Sequence, residues 1–229
     1  MPDPWGRVLD AGTGPGSLTW LASLCVDSIT AVTACEGMRV TVDEDVSQYL
    51  DPVTDQILVG NWQDREFLRG ITFDAAVADY LLGSVDHFAA HFQNRLLRRL
   101  HESLRPGGWL LFAGKEPEDL HAAGETPRLI LDAEALRHAA MGLSGQQLYR
   151  EVPMWWVLEE LSNAGFQIHK YQVFPRRVTA KKVNWQLGWA AEEIAKITDP
   201  MLRSGLQQRH EALRRKTELS MALRRGVLF

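Results

Sequence analysis

Three glycines at alternate positions, Gly12, Gly14 and Gly16, follow an aspartate, Asp10, that closes a short apolar run, Val8-Leu9. Glycine tolerates positive φ and lets a ligand press on bare main chain, so such a turn between strand and helix suits a small charged molecule. Ala11 and Thr13 lie inside the turn, and Ser17 is placed to cap the helix that follows. The spacing excludes two better-known nucleotide loops. A G-x-G-x-x-G fingerprint would need glycine at position 17, which is serine, and a phosphate loop would need a lysine, which first occurs at Lys115.

The remaining candidates also stand where apolar runs stop. Glu36 ends the β-branched run from Ser28, and Asn61 and Trp62 end the run from Gln56. Asp79 and Tyr80 end the run from Phe73, with Asp86 and His87 shortly after. Carboxylates, a carboxamide, a phenol and an imidazole can accept hydrogen bonds, donate them or move a proton. No cluster has metal-ligand spacing, so no metal is expected.

The elements that must position these residues alternate between strand and helix. Residues 7–10, 28–36, 56–61, 73–79, 109–113 and 166–174 read as six strands, bounded by glycine, proline or acid. Between them come helical patterns, among them Leu18, Leu21 and Leu24 in the first, a stripe through Phe92, Leu96, Leu97, Leu100 and Leu104, and Pro153 to Ala164. Residues 37–50 and 133–141 are further helices, and 182–220 reads as helix broken at Asp199-Pro200. Such alternation predicts an α/β fold with a helical C-terminal appendage. A seventh strand would fall at 176–183 or at 226–229.

The acid two residues ahead of G-x-G-x-G resembles motif I of the class I, Rossmann-like methyltransferases that use S-adenosylmethionine (AdoMet). Leu104-Arg-Pro-Gly-Gly-Trp-Leu-Leu-Phe112 is similar to that family's second signature, and Ala164-Gly-Phe166 to a later one. The resemblance covers roughly residues 7–174 and implies a doubly wound, mostly parallel Rossmann-like sheet with helices on both faces. It implies that Asp10, Ala11, Gly12, Thr13, Gly14 and Gly16 face the methionine part of AdoMet and Glu36 the ribose. A family-typical alignment on Met38 puts Thr33 in the place of Glu36. It further implies that Asn61, Trp62 and Asp64 face the adenine, where Trp62 would stack on the purine unless it packs as ordinary core, as a tryptophan beside a strand end commonly does. Asp79 and Tyr80 would flank the sulfonium and the acceptor, with His87, oriented by Asp86, as the base for a protonated nucleophile. Domains follow: residues 1–174 form the AdoMet-binding core, with 115–152 as a substrate-side insertion, and 175–229 form a helical tail.

Composition narrows the rest. A chain of 229 residues with 45% apolar content can bury one good core. Two cysteines without metal or disulfide spacing fit a reducing compartment, and no apolar run is long enough to span a bilayer. The expectation is a cytoplasmic protein with no membrane partner. Net charge is −4 but uneven: residues 1–169 hold 12 Lys/Arg against 24 Asp/Glu, and residues 170–229 hold 13 against 5. A basic tail lying across an acidic domain accounts for this. The Asn-Pro-Pro-Tyr step of base and glutamine methyltransferases is missing, since the chain has Asp79-Tyr-Leu-Leu82. A small-molecule acceptor is therefore expected. One alternative has Lys181, Lys182, Arg209, Arg214, Arg215, Arg224 and Arg225 gripping nucleic acid, or a protein as substrate. Another is a catalytically silent assembly partner, with the short amino terminus and the tail forming a homodimer interface.

Overall fold

Val8, Leu9 and Asp10 are fully buried because their strand, β1 (Arg7–Asp10), lies in the middle of the sheet. This computed structural model describes residues 5–117, 125–174 and 179–226. Along the chain, α1 (Pro15–Ala22), β2 (Ser28–Thr33), α2 (Glu36–Val46), a 3-10 turn (Ser47–Tyr49) and β3 (Gln56–Val59) follow β1. Next come β4 (Phe73–Asp79), α3 (Leu81–Phe88), α4 (Gln93–Glu102) and β5 (Leu104–Ala113), then α5 (Glu125–Leu143), α6 (Met154–Asn163), α7 (Ala180–Lys196) and α8 (Pro200–Gly226).

The strand order is β3-β2-β1-β4-β5, with every neighbouring pair parallel. Chain direction across the sheet therefore reverses between β1 and β4. In an open parallel sheet that reversal leaves a crevice beyond the strands' carboxyl ends, where ligands bind. β4, covered on both faces, carries an almost continuous apolar run, Ala75 to Ala78. One layer of core packs Leu9, Ala76, Ala78, Leu96, Leu97, Leu100 and Val157, and the other packs Val8, Leu18, Leu21, Ile29, Val42 and Val77.

Two units divide the chain: Met1–Pro117 with Tyr149–Tyr171, and Glu118–Leu148 with Gln172–Phe229. The second has its own core, in which Ile130, Leu136 and Ala140 of α5 meet Val183, Leu187 and Ile194 of α7 and Leu213 of α8. Insertion and tail are thus one helical body, and not the two separate pieces that a reading along the chain suggests. Asp199 starts α8 by accepting from the N–H groups of Met201 and Leu202, both at 2.9 Å.

Several local expectations need correction. Residues 166–174 do not join the sheet, which has five strands among the described residues. Residues 180–183 belong to α7, with Thr179 as its N-cap, and Gly226 ends α8; the other positions considered for a seventh strand, 176–178 and 227–229, lie outside the described residues. β5 begins five residues before the expected Trp109. Leu104 pairs with Phe73, the register shifts, and Gly107 takes φ +79° before Trp109 resumes opposite Ala75. The helix at 133–141 is the middle of a longer α5.

Candidate functional site

Pro15 opens α1, its fixed φ suiting the first helical turn, with Gly14 in extended conformation before it. Ser17 therefore sits one turn in and is not the cap. Its hydroxyl donates to Asp10 Oδ2 at 2.7 Å and accepts from Gly14 N–H at 3.2 Å. Asp10 is fully buried, and its other oxygen, Oδ1, has no hydrogen-bond partner among the described residues; neither has buried Thr13 Oγ1. Burial pushes the Asp10 carboxyl up to about 6. The Ser17 hydrogen bond opposes that rise, and the negative charge of Asp79 adds to it.

The turn is open where a ligand would need it. A Cβ built on Gly14 or Gly16 meets no described atom within 4 Å, whereas one on Gly12 falls 2.6 Å from Leu81 Cδ1. At Gly12 the Leu81 side chain of α3 takes the space a Cβ would fill, and the other two leave the main chain bare. Backbone bonds tie the turn to both neighbours, from Ala11 N–H to Val77 carbonyl at 2.9 Å and from Thr13 N–H to Val32 carbonyl at 2.7 Å. Orphaned buried acceptors beside bare main chain fit the amino-acid end of AdoMet, which brings an ammonium for the one and a carboxylate for the other.

Trp62 is not displayed toward this opening. It is buried in the core, edge-on to Phe67 at 5.8 Å, and its indole N–H donates to the Ala11 carbonyl at 2.8 Å. Arg99 of α4 binds the same loop from beneath, donating to the carbonyls of Trp62, Asp64 and Phe67 and covering the Trp62 ring. Asn61 bridges outward: Nδ2 donates to Phe88 carbonyl at 3.0 Å and Oδ1 accepts from Gln63 N–H. Asp64 accepts from Glu66 N–H at 3.0 Å.

β2 stops at Thr33, so Glu36 stands past the strand tip as the first residue of α2, held by Arg39 Nε at 2.6 Å. Thr33 is buried at the tip, with Oγ1 accepting from Cys35 N–H at 3.2 Å.

On the other side of β1, Asp79 ends β4 half-buried, and burial raises its pKa. Tyr80 then adopts left-handed geometry, φ +51°, with its side chain 55% exposed. A tyrosine in that region is strained, and such strain concentrates at functional edges. His87 follows two turns later on α3, but Asp86 does not orient it. Asp86 accepts from His91 N–H and Gln93 Nε2 and pairs with Arg150 Nε at 3.5 Å. Burial alone would raise its pKa, yet these partners hold it below the usual range. His87 instead stacks on Tyr149 at 5.2 Å, with planes 25° apart.

Nothing in the sequence flagged the strap that supplies Tyr149. Arg150 N–H donates to Gly83 carbonyl at 3.3 Å, and Glu151 Oε2 lies 2.8 Å from where a Gly83 Cβ would be. Residues 149–151 therefore run antiparallel along the stripe of α3 through Gly83 and His87, which starts at Tyr80. Ser17 and Arg99 were also missed in their present roles. A serine following a G-x-G-x-G run is a usable signal for a hydroxyl reaching back to the acid, while Arg99 gave none beyond its distance from the apolar stripe.

A five-stranded parallel sheet, an open glycine turn after its central strand and an acid at the tip of the strand across the switch point define a class I, Rossmann-like methyltransferase. A family model described as a methyltransferase domain matches residues 2–171, and the chain belongs to that family, whose methyl donor is AdoMet. Solved structures share the fold. A cyclopropane-fatty-acyl-phospholipid synthase-like protein from Lactobacillus casei superposes with a TM-score of 0.61 at 14% identity, over 92% of this chain and 79% of that one. A putative methyltransferase from Bacillus halodurans gives 0.57 at 16%, over 86% and 80%. A mycolic acid cyclopropane synthase, CmaA1, complexed with SAH and CTAB, gives 0.52 at 16%, over 91% and 73%. No curated protein matches the chain.

Proposed function

We propose that this methyltransferase acts on a small-molecule acceptor held at the β4–α3 edge. The observation that carries the reading is the strap: residues 149–151 lie along α3 and bring Tyr149 and Glu151 to the stripe begun by Tyr80. An edge lined so closely by the protein's own chain suits a compact acceptor better than a polymer.

AdoMet, when bound, supplies a methyl group on a sulfonium that already carries its leaving group. The work left to the protein is orientation and exclusion of water, and positioning is worth about 7 to 11 kcal/mol in favourable intramolecular cases. Asp10 and Thr13 would take the ammonium, and the bare main chain at Gly14 and Gly16 the carboxylate. Glu36 or Thr33 would take the ribose hydroxyls, and Asn61 and Asp64 the adenine. Asp79 and Tyr80 would face the reacting centre, and His87 would accept a proton where the acceptor arrives protonated.

The test is to incubate the protein with methyl-labelled AdoMet and, separately, the low-mass, RNA and protein fractions of a cell extract. Label is expected in the low-mass fraction. Label confined to RNA or protein overturns the acceptor class, and no transfer to any fraction would favour a silent domain.

A further inference from the structure

Between Glu160 and Glu192 the chain contains no aspartate or glutamate, although acids outnumber Lys and Arg in the whole protein by 29 to 25. The same run displays large apolar side chains. In the helical unit Val173, Phe174 and Trp185 are exposed by 65%, 75% and 60%. The exposed run begins earlier along the chain, with Ile168 and Tyr171 in the sheet-bearing unit. Isolated exposed apolar residues are ordinary, but their concentration in the one long acid-free stretch calls for a partner.

Cations stand beside Trp185 on α7. Lys181 and Lys182 are exposed in the first turn of α7 and pair with no carboxylate among the described residues. Trp185 follows them by four and three residues, so all three side chains lie toward one side of the helix. Its ring is steadied edge-on against Trp189 at 5.4 Å. Buried Val183 and Leu187 hold the opposite side of α7 in the helical core, so Trp185 is kept outward.

We propose that the start of α7, together with Val173 and Phe174, is a peripheral docking surface for an anionic lipid bilayer. Unpaired lysines complement acidic headgroups, and their methylene stems can lie along the apolar boundary. Indole rings partition to the headgroup level, and phenylalanine and valine to the acyl edge. Single-stranded RNA also pairs cations with aromatic rings, but Val173 has no π face on which a base could stack. The expectation of no membrane partner rested on the lack of a spanning run. Among the described residues no helix is long and apolar enough to cross a membrane, and peripheral docking needs none.

The test is co-sedimentation of the full-length protein with phosphatidylcholine vesicles, with and without phosphatidylglycerol. Binding is expected only with phosphatidylglycerol. It should fall at least about fivefold both in the double variant Phe174→Ser, Trp185→Ser and in Lys181→Glu, Lys182→Glu. Both variants should keep the parent's circular dichroism and AdoMet affinity, since neither touches the glycine turn. Failure to pellet with phosphatidylglycerol overturns the proposal, as does undiminished binding by either folded variant. Binding to a uridine oligonucleotide but not to vesicles would assign the surface to RNA.

Discussion

The Trp62 indole N–H donates to the Ala11 carbonyl at 2.8 Å, fastening the loop after β3 to the turn after β1 across 51 residues of sequence. Both partners are buried, Trp62 at 4% exposure and Ala11 at 1%. The ring that could have been a platform for adenine is thereby a brace for the cofactor turn. Trp62→Phe keeps an aromatic ring but removes the donor, leaving a buried carbonyl unsatisfied at a cost of about 1–3 kcal/mol. Urea denaturation should show that loss, and calorimetry should show weaker AdoMet binding. Lost stability with unchanged affinity would reduce the brace to ordinary core.

Asp10 ties stability to pH in an unusual direction. Its folded pKa of about 6 lies above the ordinary 3.8, so between those values the folded apoprotein holds a proton that the unfolded chain releases. Stability from this group is therefore fully present below about pH 4 and falls as pH rises through 6, by about 3 kcal/mol. Asp10→Asn should flatten that part of the apoprotein's stability profile. A ligand ammonium favours the charged carboxylate, so AdoMet binding near pH 6 should release protons. Calorimetry in buffers of different ionisation enthalpy measures that release, and none would mean that Asp10 is already charged.

How legible this was depended on the range of the forces involved. Parallel strands buried on both faces leave continuous apolar runs ended by acids, and so the order β1 to β5 and the glycine turn could be read from Leu9, Asp10 and Ala75 to Asp79. Residues 166–174 have an equally strand-like composition. Composition cannot report whether an edge accepts another strand, and the chain leaves them outside the sheet. Trp62 and Ser17 were visible as residue types, but their partners lie on other elements or one helical turn away. The union of α5 with α7 and α8 depends on matching apolar stripes far apart in sequence, where periodicity gives faces and not partners.

Glu36 is tied to Arg39 in an exposed pair at 2.6 Å, and solvent screens such a pair until it contributes little. So weak a tether lets the carboxylate turn toward ribose hydroxyls, which offer two donors. Glu36→Ala is expected to weaken AdoMet binding by about tenfold, roughly 1.4 kcal/mol, and Arg39→Ala should not weaken it. Unchanged affinity in Glu36→Ala, with loss in Thr33→Val, would assign the ribose to the buried threonine at the strand tip.

Gly83 separates donor binding from acceptor binding. An alanine there would place Cβ 2.8 Å from Glu151 Oε2, the far end of a flexible side chain, so the Glu151 carboxylate must turn aside while the helix stays intact. Helix propensity favours alanine by about 1 kcal/mol, and overall stability should hold or rise. The Glu151 carboxylate leaves its place against α3, and the acceptor edge loses one of its polar side chains. The expected result is a raised acceptor KM and lowered turnover with AdoMet affinity unchanged, measured by transfer assay and calorimetry on the same sample. Equal loss of both would mean that the strap supports the glycine turn through Leu81, which packs against Gly12 from the same helix, and the acceptor role of residues 149–151 would have to be given up.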